Sequence, residues 1–138
     1  MPRTARAREA HRLHAGWIAL GAAVMVALAA GVNAAIWAAA GGLGADVSRR
    51  YAGAYLVGMG LAFVTGGAIV GWWSPGNTVK EAAVSGAIAV GAMSAAALVA
   101  GRGAGMGAVL MAGAAGFLLA LVGGWLGEWL QERKEKAR

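Results

Sequence analysis

Four long apolar runs separated by short polar breaks make up most of this chain: Ala15 to Ala40, Tyr51 to Trp73, Thr78 to Ala100 and Ala104 to Leu130. The second is the clearest, 23 residues without a single charge. At about 1.5 Å of rise per residue it makes a helix roughly 33 Å long, enough to cross a hydrocarbon layer of about 30 Å with slight tilt. Tyr51 and Tyr55 stand at one end of it and Trp72 and Trp73 at the other. Those are the positions where amphipathic rings settle in the two headgroup layers of a bilayer. Trp17 and Trp37 bracket the first run in the same way, twenty residues apart, and Trp125 and Trp129 close the fourth.

The breaks read as turns. Pro75 and Gly76, in Ser74-Pro75-Gly76-Asn77, do not continue a helix comfortably, so the chain reverses there. Thr78-x-x-Glu81 then has the form of a capping box, with the Thr78 hydroxyl accepting from the Glu81 amide and the Glu81 carboxylate reaching back to the Thr78 amide. Gly41-Gly42-Leu43-Gly44 ends the first helix, and Asp46, Ser48, Arg49 and Arg50 form a short polar loop. Gly101-Arg102-Gly103 closes the third. The fourth helix is expected to run on into the charged tail as far as Lys136, where Glu132 and Lys136 form a favourable i,i+4 pair. The predicted fold is all-α: an integral membrane four-helix bundle of two transmembrane hairpins. It forms one domain over 1–138, with a basic segment 1–14, spans at 15–40, 51–73, 78–100 and 104–130, and a charged tail 131–138.

Composition agrees with this pattern. With 59% hydrophobic and 13% charged residues over 138 positions, a water-soluble surface cannot be assembled. There is no cysteine, which excludes disulfides, thiolate metal sites and cysteine nucleophiles together. Positive charge is unevenly placed. Arg3, Arg6, Arg8, Arg12, Lys80, Arg133, Lys134, Lys136 and Arg138 fall on one side of a four-span chain, and only Arg49, Arg50 and Arg102 on the other. The positive-inside rule then puts both termini in the cytoplasm, and the imbalance argues against dual topology. Arg3, Arg6, Arg8 and Arg12 gain about 1 kcal/mol each from anionic lipid headgroups. The apolar run that follows them exceeds a signal-peptide core, so it is expected to stay as the first span. The wealth of Ala, Gly and Arg resembles proteins of high-GC bacteria, and the expected location is a bacterial inner (cytoplasmic) membrane, multi-pass.

Each span also carries small residues at four-residue spacing: Ala23, Ala27, Gly31 and Ala35; Ala54, Gly58, Ala62 and Gly66; Ala83, Ala87, Gly91 and Ala95; Ala108, Ala112, Gly116, Ala120 and Gly124. Such ridges let helix backbones approach closely. Asn33, Ser85 and Ser94 join Gly58, Gly66, Gly91 and Gly116 as packing candidates, Asn33 through a hydrogen bond to a neighbouring helix. The third span has small residues on two faces, one through Ser85 and Ala89 and one through Ala87 and Gly91. A square bundle uses two adjacent faces, so one is left for a partner.

Chemistry is sparse. Between Trp17 and Trp125 the spans hold no histidine for a haem or pigment, and no charge sits mid-span to serve an ion-coupled path. His11 and His14 lack a third ligand and read as a solvated interfacial pair. No enzyme activity, cofactor, metal or nucleic-acid partner is expected. The leading expectation is a non-catalytic accessory subunit of a larger membrane complex, such as a respiratory or photosynthetic one, packed against other subunits or a second copy. The alternative is a small homo-oligomeric, holin-like pore or transport protein, for which Asn33, Thr65, Ser85 and Ser94 are few polar residues to line a wet path.

Overall fold

The computed structural model describes residues 14–41, 50–74, 78–103 and 105–136, without the side chains of Thr78 and Glu135. It contains four helices, α1 (Ala15–Ala39), α2 (Ala52–Trp73), α3 (Thr78–Val99) and α4 (Met106–Lys136). Each is long and apolar enough to cross a membrane by length and composition. The polar breaks stop them for local reasons. Gly101 adopts φ +70°, open to glycine without strain, and lets the chain fold back over the end of α3. Arg102 N–H then donates to Ala97 O at 2.8 Å and Gly101 N–H to Leu98 O at 3.0 Å, which completes a Schellman motif. At the end of α1, Gly41 takes φ +96°. The Tyr51 hydroxyl donates to Ala39 O at 3.0 Å and so satisfies a terminal carbonyl of that helix from the start of α2.

The helices are not arranged in simple sequential order. α1 packs on α2 and α3, and α4 packs on α2 and α3 more extensively; α2 and α3 also touch, while α1 and α4 occupy opposite corners. Parallel helices are therefore neighbours, α1 beside α3 and α2 beside α4. The α2–α4 contact is backbone on backbone. A methyl group added at Gly67 would land on the Ala120 carbonyl, one at Gly71 on the Gly124 carbonyl, and one at Gly123 on the Val64 carbonyl. Gly86 of α3 completes the junction, its missing methyl lying 2.6 Å from both Ala120 Cβ and Gly116 O.

Small residues sit inside and large ones outside. Ala82, Ala83, Ala89 and Ala120 are buried, with Met25, Phe63 and Val70 the larger members of the core, while Leu56, Leu61, Leu98, Met111 and Leu118 are exposed. This reverses the order of a water-soluble bundle. Such an arrangement gives close dispersion contact between helix backbones.

Candidate functional site

One polar cluster lies where the start of α1, the end of α2 and the start of α3 converge. Glu81, in the first turn of α3, is fully buried. Its Oε1 accepts from the backbone N–H of His14 at 2.7 Å, and His14 Nδ1 lies 3.3 Å from the same oxygen. Its Oε2 accepts from the Ser74 hydroxyl. One turn along α3, the Ser85 hydroxyl lies 2.7 Å from Glu81 O and 3.0 Å from Ile18 O, its single proton shared between the two carbonyls. No buried side-chain polar atom among the described residues lacks a partner.

The placement follows from helix ends. His14 is the N-cap of α1 and has no side-chain capping bond of its own, so an acceptor from α3 takes one of the amides the helix start leaves free. The acidic group thus sits at the positive ends of two helix dipoles, α1 and α3, where an acid is the stabilising choice. Ser74 closes the other side at the end of α2. The carboxylate contacts described reach across to His14 and Ser74; the expected capping box with Thr78 lies outside the described side chains.

Histidine, serine and a carboxyl group are together here, but in the wrong order for nucleophile activation. A serine nucleophile needs the imidazole between itself and the acid. Here Glu81 stands between Ser74 and His14, so the serine proton points at the carboxyl group and the half-exposed imidazole covers it. The arrangement closes hydrogen bonds between helices. Among the described residues, no group of three histidine, aspartate or glutamate side chains could hold a metal ion.

The other singled-out residues scatter. Gly58 lies against Val32 of α1, and Gly66 against Met25, so that ridge of α2 is an α1 contact. Gly116 meets Val90 and Phe63. Ser85 belongs to the Glu81 cluster, whereas Ser94 borders an apolar cavity between α2, α3 and α4. Asn33 donates to Ala29 O of its own helix at 3.0 Å, and among the described residues it has no bond to a neighbouring helix. Gly91 faces open space. The polar side chains Asn33, Thr65, Ser85 and Ser94 do not converge on one interior path.

The ring-bearing residues do sort by end. Trp17, Trp72, Trp73, Trp125 and Trp129 share the Glu81 end, while Trp37, Tyr51 and Tyr55 share the other. At the Glu81 end the Arg133 guanidinium lies 3.7 Å over the Trp129 ring and Lys134 5.6 Å over Trp72, so α4 still runs beside α2 where the apolar run gives way to charge. Arg3, Arg6, Arg8 and Arg12 lie outside the described residues.

Sequence reasoning missed two features. Gly67, Gly71, Gly123 and Gly127 form the tightest crossing, and their Gly-x-x-x-Gly spacing was available as a signal in both helices. His14 and Ser74 as partners of Glu81 had only a weak signal, their shared position at one end of a four-span chain. No family model, no curated protein and no solved structure matches the chain.

Proposed function

We propose that this chain inserts in a bacterial cytoplasmic membrane with both termini in the cytoplasm and serves as a non-catalytic accessory subunit of a larger membrane complex. One observation carries this reading: the whole small-residue ridge of α1, Ala23, Ala27, Gly31 and Ala35, is exposed, and a methyl group added at Gly31 would meet nothing within 4 Å. The ridges on α2 and α4 are covered by other helices of the bundle only over Gly58–Gly66 and Gly116–Gly124. On α3, Ala87, Gly91 and Ala95 also face outward. Lipid tails gain little from a smooth groove of Ala and Gly, whereas another helix gains close packing. The Glu81 cluster fits this role as a clasp that fixes α1 against α3 and holds the outer ridge in place.

Gentle extraction of a tagged copy from its native membrane should yield an assembly heavier than the 13.7 kDa chain. Ala27→Leu together with Gly31→Leu should release the partner while helicity is unchanged. A lone monomer from the unaltered protein would sink the subunit reading. Orientation has its own test, because the chain is free of cysteine. Thr4→Cys, Asn77→Cys and Lys136→Cys should be shielded from an impermeant thiol reagent on intact cells, and Ser48→Cys should react. Labelling at Asn77 but not at Ser48 would invert the topology.

A further inference from the structure

At the end of the bundle away from Glu81, the helices part. Next to the close α2–α3–α4 junction, Phe63 of α2 and Val90 of α3 wedge against Gly116 of α4. Past this floor the lining on α3 and α4 includes the short side chains of Ala97, Ala112 and Ala115. A cavity of about 360 Å³ results. Such a volume is in the range of small-molecule pockets, roughly 300–1,000 Å³. Left empty, its walls would forfeit their dispersion contacts. Water is a poor occupant, since it needs two to four polar partners and the lining offers only Tyr55 and Ser94 as polar side chains. Met59 of α2 and Met93 of α3 are unbranched side chains that adapt to an irregular apolar guest.

The cavity also has a direction and a charge. Along α2 it extends from Phe63 to Tyr55, about 12 Å at ~1.5 Å per residue, close to the ~15 Å of hydrocarbon in one leaflet. Beyond Tyr55 come Tyr51 and Arg50, whose guanidinium lies 5.9 Å over the Tyr51 ring. On the α3 wall, Ala97 accepts the backbone N–H of Arg102 at 2.8 Å, so a second exposed arginine is anchored directly to a lining residue. Every glutamate among the described residues lies at the opposite end of the bundle. An apolar slot one leaflet deep, at an end of the bundle that carries the exposed arginines Arg50 and Arg102 and none of the described glutamates, matches an acyl chain attached to a phosphate.

We infer that this cavity binds one acyl chain of an anionic glycerophospholipid, with Arg50 and Arg102 holding its phosphate-bearing headgroup. The site rests on insertion in a membrane and not on the presence of a partner subunit. It is separate from the basic segment at Arg3, Arg6, Arg8 and Arg12, which precedes His14 in the sequence.

The test is native mass spectrometry of the full chain in neutral detergent with phosphatidylglycerol or phosphatidylcholine of identical acyl chains. One phosphatidylglycerol should be retained in preference to phosphatidylcholine. Arg50→Gln with Arg102→Gln should lower its retention by about tenfold or more, each exposed guanidinium being a surface charge near an anionic lipid. Ala115→Phe, which fills the slot, should evict the lipid, whereas changing Arg3, Arg6, Arg8 and Arg12 to glutamine should leave it bound. Equal retention of the two lipids, undiminished retention after the Arg50 and Arg102 changes, or a slot occupied in a dimer by a second copy would overturn the inference. The arginine variants decide the matter even if Ala115→Phe fails to fold. Release from membranes by an alkaline carbonate wash would instead sink the membrane reading on which the site rests.

Discussion

Replacing Gly67 and Gly123 together by leucine should leave a chain that is still helical but no longer packs as this bundle. The methyl group of the new side chain at 67 would land on the carbonyl, carbonyl carbon and Cα of Ala120; at 123 it would land on the Val64 carbonyl and lie 2.9 Å from the Ala68 nitrogen. What it meets is backbone in both cases, so no rotamer change in the neighbour relieves the clash. Overpacking a well-filled contact costs about 1–3 kcal/mol per site and sometimes more. Two such sites on one crossing remove a large part of a net stability of roughly 5–15 kcal/mol. Gly31→Leu is the matched control, since it makes the same residue change at a position where the added atoms meet nothing. In reconstituted protein unfolded by a denaturing detergent, the double variant should lose its cooperative transition and the control should keep it. Equal transitions for the two would mean that the α2–α4 crossing is not the tight contact described above.

Glu81→Ala is expected to cost about 2 kcal/mol, because it removes the acceptor of a part-buried helix-start amide and one hydrogen bond of the buried Ser74, at ~1–3 kcal/mol for a buried group that loses its partner. Glu81 itself is fully buried, so the vacated space opens to water only past the half-exposed His14. Glu81→Gln should cost much less. Its carbonyl oxygen can still accept from His14 N–H, and the Ser74 hydroxyl can turn to accept from the new amide. Ser85→Ala, which removes the shared bond to Ile18 O and Glu81 O, should cost about 1 kcal/mol. Hydrogen exchange gives the sharper reading. In Glu81→Ala the amides from His14 to Ile18 should exchange faster, while those around Gly67 and Ala120 stay protected. If Glu81→Gln abolished a cellular phenotype with exchange unchanged, the carboxyl group would need a role beyond joining helix ends.

Much of the secondary structure was legible in the sequence, and for a simple reason. A helix that crosses about 30 Å of hydrocarbon must satisfy its backbone internally and expose only apolar side chains, so it is written as a long uncharged run bounded by rings and turn residues. Tyr51, Trp73, Gly41 and Gly101 are local signals of this kind, and the helices begin and end beside them. The ridge Gly58–Gly66 was likewise visible as a packing face, and it meets α1.

Partner choice was not legible. These helices are apolar on all sides, so no polar face tells the core from the surface, and in a chain this rich in Ala and Gly small residues at four-residue spacing arise on several faces at once. The ridge at Ala23, Ala27, Gly31 and Ala35 is left outside, while Gly67 and Gly71, one register away from the more visible Gly66, take the closest contact. Which ridge is used depends on the shape of the facing helix, and a single sequence holds that only jointly across segments dozens of residues apart. The same holds for Glu81. Its sequence neighbours point to a local cap at Thr78, and nothing local points to the helix-start amide that the parallel placement of α1 beside α3 brings within 2.7 Å of the carboxyl group. The sequence by itself therefore determined the number, extent and apolar character of the helices, properties that each segment carries alone. Which backbones touch, which ridge is left over and what the buried acid holds were decided only by the tertiary structure, because these depend on complementary surfaces that exist once the helices are side by side.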